Sequence, residues 1–236
     1  MPAELYLQEL CGHEELAIEG VHTAAVVALL NRLLRRQGGM ASSPNLPVDA
    51  AQLSACDRDS VLAALYRLHW GDRIVSSLTC QACDALFDLS FHLSGLQKKL
   101  WSDVEEDTTI ALPTAEDEMR MGRYLGTWAE RANGLVKISD PEANIVDEEY
   151  VNALSLRLER YAPIMDVDLQ TTCPECGHQQ KVRFDLQSFA MQRWLNDRDQ
   201  LLQDVHSLAS QYRWSLNEIL DLPTSMRRRL VERVSG

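Results

Sequence analysis

The sequence lacks an excess of positive charge, a long apolar run and a glycine-rich phosphate loop. Lys and Arg number 23 against 35 Asp and Glu, a net charge of -12. A surface that grips nucleic acid needs clustered cations, so this balance argues against nucleic acid as the main partner. The longest apolar stretch, Val21 to Leu34, contains His22, Asn31 and Arg32 and is too short and too polar to span a bilayer. Met1 to Leu10 has two acidic residues and no basic one, unlike a secretory signal. These absences lead us to expect a soluble cytoplasmic protein with no membrane partner.

Enzyme signatures are missing as well. There is no serine nucleophile elbow, and His13-Glu14-Glu15 lacks the second histidine of a zinc-protease helix. No residue stands out as a carrier of catalysis, so we expect no enzyme activity and no small-molecule substrate.

What is present is an ordinary globular composition, 45% apolar and 25% charged over 236 residues, enough to bury a sizeable core. Glu14 to Arg36 reads as one helix, with Val26, Val27, Leu30, Leu33 and Leu34 on one face and Gly38 and Gly39 stopping it. Met40 to Pro47 reads as a loop. A second helix is expected over Arg58 to Trp70, with Asp57 as its cap, a stripe of Val61, Leu62, Leu65 and Leu68, and Gly71 just past its end. Arg73 to Leu78 and Leu86 to Leu93 read as strands, the latter alternating at period two. Ser102 to Glu118 holds seven acidic residues and no basic one and reads as a solvated loop. Helices are expected over Glu116 to Gly134 (with Met119, Leu125 and Trp128 apolar) and Asp147 to Tyr161, a strand over Lys181 to Leu186, and a long helix over Gln187 to Gln211. Ser215-Leu216-Asn217-Glu218 is a capping-box pattern opening a short helix that Pro223 ends. A last helix carries Arg227, Arg228, Arg229 and Arg233.

Two Cys-x-x-Cys pairs, Cys80/Cys83 and Cys173/Cys176, sit in matching surroundings. Phe91 and Phe184 each lie eight residues after the second cysteine of their pair, Leu93 and Leu186 ten, and Leu96 and Phe189 thirteen. Such matching argues for two equivalent halves of one site. A two-residue spacer lets both sulfurs of a turn face one ion, and four thiolates complete a tetrahedron at about 2.3 Å. All four ligands being cysteine closes the site, which marks a structural zinc rather than a catalytic one. Gly177 suits the second turn; Asp84 stands at that place in the first. The competing readings are thioredoxin-type redox motifs, disulfides and metal-free buried thiols. The redox motif lacks its strand-then-helix placement, and a cytoplasmic compartment disfavours disulfides.

The remaining candidates read as structural. Cys11 and Cys56 are small core or surface residues, His178 an exposed turn residue and His206 a packed core histidine. Trp194, Trp214 and Tyr212 read as core before interface anchors. The arginines at 227–233 read as favourable charge at a helix end, with contact to an acidic partner as the alternative.

Several segments occur together in a recognisable order. They are Glu9-Leu10-Cys11-Gly12-His13-Glu14-Glu15-Leu16, then Asp57-Arg58-Asp59-Ser60-Val61-Leu62 leading to Gly71-Asp72-Arg73-Ile74, the two cysteine hairpins, and Leu112-Pro113-Thr114. The tail adds Val205-His206-Ser207-Leu208-Ala209, Trp214-Ser215-Leu216-Asn217-Glu218-Ile219-Leu220-Asp221-Leu222-Pro223 and Arg227-Arg228-Arg229. Over nearly the whole chain this pattern resembles the T-even phage-type baseplate hub assembly chaperone family, with relatives in phage-derived injection systems. The resemblance implies a non-enzymatic assembly factor or minor component of a contractile-tail baseplate, with hub or wedge subunits as partners. Asp84 departs from the pattern in the first knuckle, and Arg213 stands where the pattern leads us to expect glycine. A zinc-ribbon adaptor in transcription or nucleic-acid binding is the alternative; it needs a basic face near the ribbon, where only Lys181, Arg183 and Arg193 lie.

The expected fold is α+β, mostly helical, around a small four-cysteine zinc ribbon of two β-hairpins. One integrated domain is expected: an N-terminal helical part at 1–72, ribbon halves at 73–96 and 168–189, an acidic loop and helical insert at 97–167, and C-terminal helices at 190–236.

Overall fold

The structure, a computed structural model, describes residues 5–36, 46–102, 104, 109–123, 127–143 and 147–235. In chain order its elements are β1 (Leu5–Leu7), α1 (Gly12–Leu16), α2 (Thr23–Leu33), β2 (Leu34–Arg36), β3 (Leu46–Pro47), α3 (Ala55–Trp70), β4 (Arg73–Thr79), β5 (Leu86–His92), α4 (Leu93–Trp101), α5 (Ala115–Arg123), α6 (Trp128–Ser139), α7 (Glu148–Tyr161), β6 (Asp166–Thr172), β7 (Gln179–Asp185), α8 (Leu186–Asn196), α9 (Arg198–Tyr212), α10 (Leu216–Leu220) and α11 (Thr224–Ser235). The architecture is mixed helix and small antiparallel sheets, in line with the α+β expectation. Among the described residues no helix is long and apolar enough to cross a membrane. Contacts divide the chain into two compact units, 1–51 with 187–236, and 52–186.

In the first unit the single helix expected over Glu14 to Arg36 is two. The chain leaves α1 and restarts at α2, where His22 Nδ1 accepts from the Ala25 N–H at 3.1 Å. Leu34–Arg36 then leaves the helix because β1 supplies a strand partner, with Leu7 opposite Leu34 and Leu5 opposite Arg36. Gly38, Gly39 and most of the expected loop lie outside the described residues. Val26, Val27, Leu30, Leu33 and Leu34 are all buried, as their spacing requires.

The long helix expected over Gln187 to Gln211 is also two, α8 and α9, parted at Asp197. The Arg198 guanidinium donates to the carbonyls of Leu16, at 3.1 Å, and Ile18. Gln187 Nε2 donates to Val21 O at 3.0 Å. These bonds satisfy backbone oxygens in the α1–α2 connection, where helix and sheet supply no partner. His206, expected in the core, is exposed on α9, whose buried positions are Leu201, Asp204 and Leu208. Trp194 is buried, whereas Tyr212 is exposed and stacks on Trp214 with ring centroids 4.8 Å apart.

Arg227 is not part of a surface cluster. It is 1% exposed, and its Nη2 donates to both oxygens of buried Glu15, at 2.8 and 2.9 Å. Its Nε faces Asp204 Oδ2 at 3.6 Å, and Thr224 donates to the same Glu15 carboxylate. Gly12 lets α1 lie against α10, since a Cβ there would meet Leu220 Cδ2 at 2.5 Å. Removing one partner of a buried ion pair leaves the other charge unpaired. We expect Arg227→Ala to cost about 3–5 kcal/mol in urea titrations. Arg229→Ala, on the exposed side of the same helix, should stay within about 0.5 kcal/mol of the parent.

In the second unit α3 begins earlier than its sequence pattern indicates. Ser54, not Asp57, is the cap: its Oγ accepts from the Asp57 N–H at 3.1 Å. The buried face is Leu62, Ala63, Leu65 and Tyr66 with Arg58 and Asp59, and Leu68, expected in the stripe, is 71% exposed. Gly71 ends the helix at φ 84. The end of the acidic stretch is helix rather than loop, because Thr114 Oγ1 accepts from the Asp117 N–H at 3.2 Å and Glu116, Asp117 and Glu118 fill the first turn of α5. Anionic side chains suit that electropositive helix end. Residues 103 and 105–108 of the stretch, and Leu125, lie outside the described residues. The helix expected over Glu116 to Gly134 is α5 and α6, the second opened by the Thr127/Glu130 capping box. Asp147 caps α7 by accepting from the Tyr150 N–H at 2.8 Å. The insert has its own apolar cluster of Ile110, Ala132, Val136, Val151 and Leu154.

Two charged residues of α3 tie the unit together. Arg58 Nη1 donates to Glu118 Oε2 at 2.8 Å, and Asp59 Oδ2 accepts from the Met165 N–H at 2.7 Å. Burial pushes the Asp59 carboxyl up to about 6, against the Met165 N–H and Arg58, which lower it. In the unfolded chain an aspartate titrates near about 3.9. The native state therefore holds the proton longer, and this group subtracts stability as pH rises from about 4 to 6. Asn keeps an acceptor for Met165 but cannot ionise. We expect Asp59→Asn to flatten the denaturation midpoint across that interval and to be at least as stable as the parent at neutral pH.

Candidate metal centre

Strands β4 and β5 pair antiparallel from Arg73 opposite His92 to Thr79 opposite Leu86. Strands β6 and β7 repeat this from Asp166 opposite Asp185 to Thr172 opposite Gln179. Sequence pattern showed three of these strands; β6 was hidden because Asp166-Val167-Asp168-Leu169-Gln170-Thr171-Thr172 has few apolar residues. Along β4, Ile74, Ser76 and Leu78 turn inward while Arg73, Val75, Ser77 and Thr79 stay exposed. The Phe91 and Phe184 rings meet edge to face, centroids 5.0 Å apart at 88°. The hairpins therefore share an apolar face.

Their tips are built alike. Cys80 N–H donates to Ala85 O at 2.9 Å and Asp84 N–H to Cys80 O at 3.0 Å; Cys173 N–H donates to His178 O at 2.9 Å and Gly177 N–H to Cys173 O at 3.0 Å. The residue after each second cysteine is left-handed, Asp84 at φ 56 and Gly177 at φ 73. Asp84 thus adopts the backbone that glycine favours, and Arg213, the other departure noted in the sequence, does the same at φ 55 as it ends α9. Aspartate tolerates this region better than most side chains, so the first turn keeps its shape.

The two tips bring all four predicted ligands together. Cys80 Sγ lies 3.6 Å from Cys176 Sγ, and Cys83 Sγ lies 3.8 Å from Cys173 Sγ. The four sulfurs all lie within 4.8 Å of one another. A tetrahedral ion bound by thiolates at about 2.3 Å has sulfur–sulfur edges of about 3.8 Å. The set can hold one metal ion. Each tip supplies one buried and one exposed cysteine, Cys80 with Cys83 and Cys173 with Cys176.

The electrostatics are those of crowded thiols. The Ala82 N–H, which donates to Cys80 Sγ at 3.4 Å, pulls the Cys80 thiol down to about 6 despite opposition from burial. The Ala85 N–H acts on Cys83 in the same sense, but the sulfurs of Cys176, Cys80 and Cys173, together with burial, push it up to about 12. Cys80 ionises readily while Cys83 and Cys176 resist; a central cation would remove that conflict.

One further residue enters the site. Gln180, buried on β7, accepts from the Gln81 N–H at 3.0 Å and donates to Thr79 O at 3.2 Å. It clamps the first cysteine turn from the opposite hairpin. The sequence carried a faint signal for it, since the equivalent place in the first hairpin is Phe87, where a polar side chain would not be expected to alternate inward.

The other sequence candidates lie elsewhere. His178 is exposed at the second tip. Cys56 lines a cavity of about 230 Å³ with Leu112, Pro113, Met121 and Leu158. Burial first, then Asp57, pushes its thiol up to about 11, so it is a poor nucleophile. Burial also raises Cys11. Comparison of the chain with known protein families, with curated proteins and with solved structures finds no match.

The matched turns make a stability test. A Cβ at Gly177 forces an L-residue into the left-handed region, so Gly177→Ala should cost about 1 kcal/mol in thermal denaturation. Asp84→Gly should move the midpoint far less, because relief of the left-handed aspartate is offset by the greater freedom of glycine in the unfolded chain.

Proposed function

We propose that Cys80, Cys83, Cys173 and Cys176 hold one structural zinc ion. On this reading the chain is a non-enzymatic assembly factor or minor component of a contractile-tail baseplate, binding hub or wedge subunits. The convergence of four thiols from two hairpin tips carries the metal part. Thiolate sulfur is a soft donor, and a tetrahedral four-sulfur set suits zinc or iron. Four protein ligands leave no position for a reacting water, so the ion's part is to fix the hairpins rather than to perform chemistry.

Magnitudes support a folding role. Closing a flexible segment of about 90 residues costs about 4 kcal/mol of chain entropy. Structural zinc contributes about 10–16 kcal/mol in small zinc domains. The ion would outweigh the closure cost of bringing the two tips together across the helical insert.

The partner part rests on the sequence resemblance. The net charge of -12 and the exposed Tyr212, stacked on half-buried Trp214, are compatible with a protein-binding role. Elemental analysis of purified protein should find about one zinc and no iron per chain, and a Cys173→Ser/Cys176→Ser variant should lose it. Metal-free protein with four reactive thiols overturns the zinc centre. Zinc-loaded protein that captures none of the purified hub or wedge subunits of its own baseplate overturns the assembly role.

A further inference from the structure

The two cysteine turns are alike in backbone but not in what holds them. The second turn carries Pro174 between its cysteines and Gly177 in the left-handed position. Proline fixes φ and glycine adopts positive φ without steric cost, so this turn is preorganised by its own sequence. The first turn has Gln81 and Asp84 at those places, a free backbone and a side chain in a disfavoured region.

Gln180 makes up the difference. Its carboxamide meets the first turn on both sides of Cys80, accepting from the Gln81 N–H at 3.0 Å and donating to Thr79 O at 3.2 Å. The residue is 6% exposed, so water competes weakly for these bonds. The second turn can receive no such clamp. Pro174 has no N–H to offer, and Phe87, the counterpart of Gln180, has no polar atom. The asymmetry is therefore reciprocal: where one turn is stiffened by its own residues, the other is stiffened by a side chain from across the site.

We propose that Gln180 is a positioning residue of the metal centre, holding the Cys80/Cys83 turn in its ligating geometry and setting how slowly that pair lets go of the ion. This rests on the zinc reading above. Gln180 acts through the amide of Gln81 and the carbonyl of Thr79. Partners of this kind, one layer removed from the metal, typically change affinity by about 10- to 100-fold when removed.

The test is zinc release from the full chain to a chromophoric chelator, with cobalt substitution to read coordination. Gln180→Ala should release zinc about 10- to 100-fold faster while its cobalt spectrum remains that of four thiolates in a tetrahedron. Gln179→Ala, on the exposed neighbour, should release at the parent rate. Adding Gln81→Pro to Gln180→Ala should restore slow release, because the first turn then gains the stiffness that Pro174 gives the second. Gln180→Glu keeps the acceptor for Gln81 but loses the donor to Thr79, and should fall between parent and alanine variant; it decides the matter if Gln180→Ala does not fold. Parent protein that takes up no zinc removes the metal reading and this proposal with it. Parent protein that loads zinc while the Gln180 variants release at its rate overturns the positioning role alone. A double variant as fast as Gln180→Ala overturns it too.

Discussion

Four thiols within 4.8 Å of one another are a constraint before they are a site. Sulfurs at such distances resist ionising together, and the opposed shifts of Cys80 and Cys83 express that conflict. Much of the second unit serves to enforce the crowding. The antiparallel hairpins carry each pair of cysteines at a tip, and the Phe91–Phe184 contact sets the hairpins face to face. Asp59 fixes the entry to the second hairpin by accepting from the Met165 N–H. A protein that concentrates thiols in this way either keeps them protonated and packed or places a cation among them. The proposed zinc ion is the second solution, and it would turn a local repulsion into an attachment between the two hairpins.

The sequence made this centre legible because its signal is local. A two-residue cysteine spacer, a left-handed residue and a strand of alternating apolar side chains are each short-range patterns, and their repetition revealed that two distant segments form one object. Helix existence was legible for the same reason. Helix continuity was not. The stretch 187–211 has no proline or glycine to mark its break; the break follows from Arg198 reaching the carbonyls of Leu16 and Ile18, residues far away in sequence. Leu34–Arg36 continues the apolar spacing of α2, yet it pairs as a strand because β1 is there to receive it. Arg227 resembled its exposed neighbours, since nothing in Met226-Arg227-Arg228-Arg229 announces that Glu15 and Asp204 await one of the three. Tertiary partners decide these cases, and tertiary partners are not written in a local pattern.

The two halves of the centre show how a repeated motif can diverge while its geometry holds. Backbone hydrogen bonds at the tips match in partner and length, 2.9 and 3.0 Å in each. Side chains at matching places do not. Asp84 stands in the place of Gly177, Gln81 in that of Pro174, and Phe87 in that of Gln180. On the positioning role proposed for Gln180, these differences compensate one another. Phe87 can be apolar because the second turn needs no clamp, and Gln81 can keep its N–H because Gln180 uses it. Compensation of this kind couples the hairpins in a way that neither cysteine pair reveals. It also explains why a reading confined to the ligands would treat the two turns as equivalent.

The proposed closed four-sulfur centre narrows the range of roles that the second unit can play. An ion with all positions filled by protein offers no site for substrate, so any binding surface must be built from other residues. The mostly apolar cavity beside Cys56 also meets Ser54, Glu118 and Glu159, and burial raises the Cys56 thiol to about 11. The first unit shows the same economy of chemistry. Its buried charges, Glu15, Asp204 and Arg227, pair with one another. On the proposed reading, both units use ionic and sulfur chemistry to hold shape. That is the pattern expected when the product of the fold is a rigid surface, and the proposed baseplate role requires a surface of that kind.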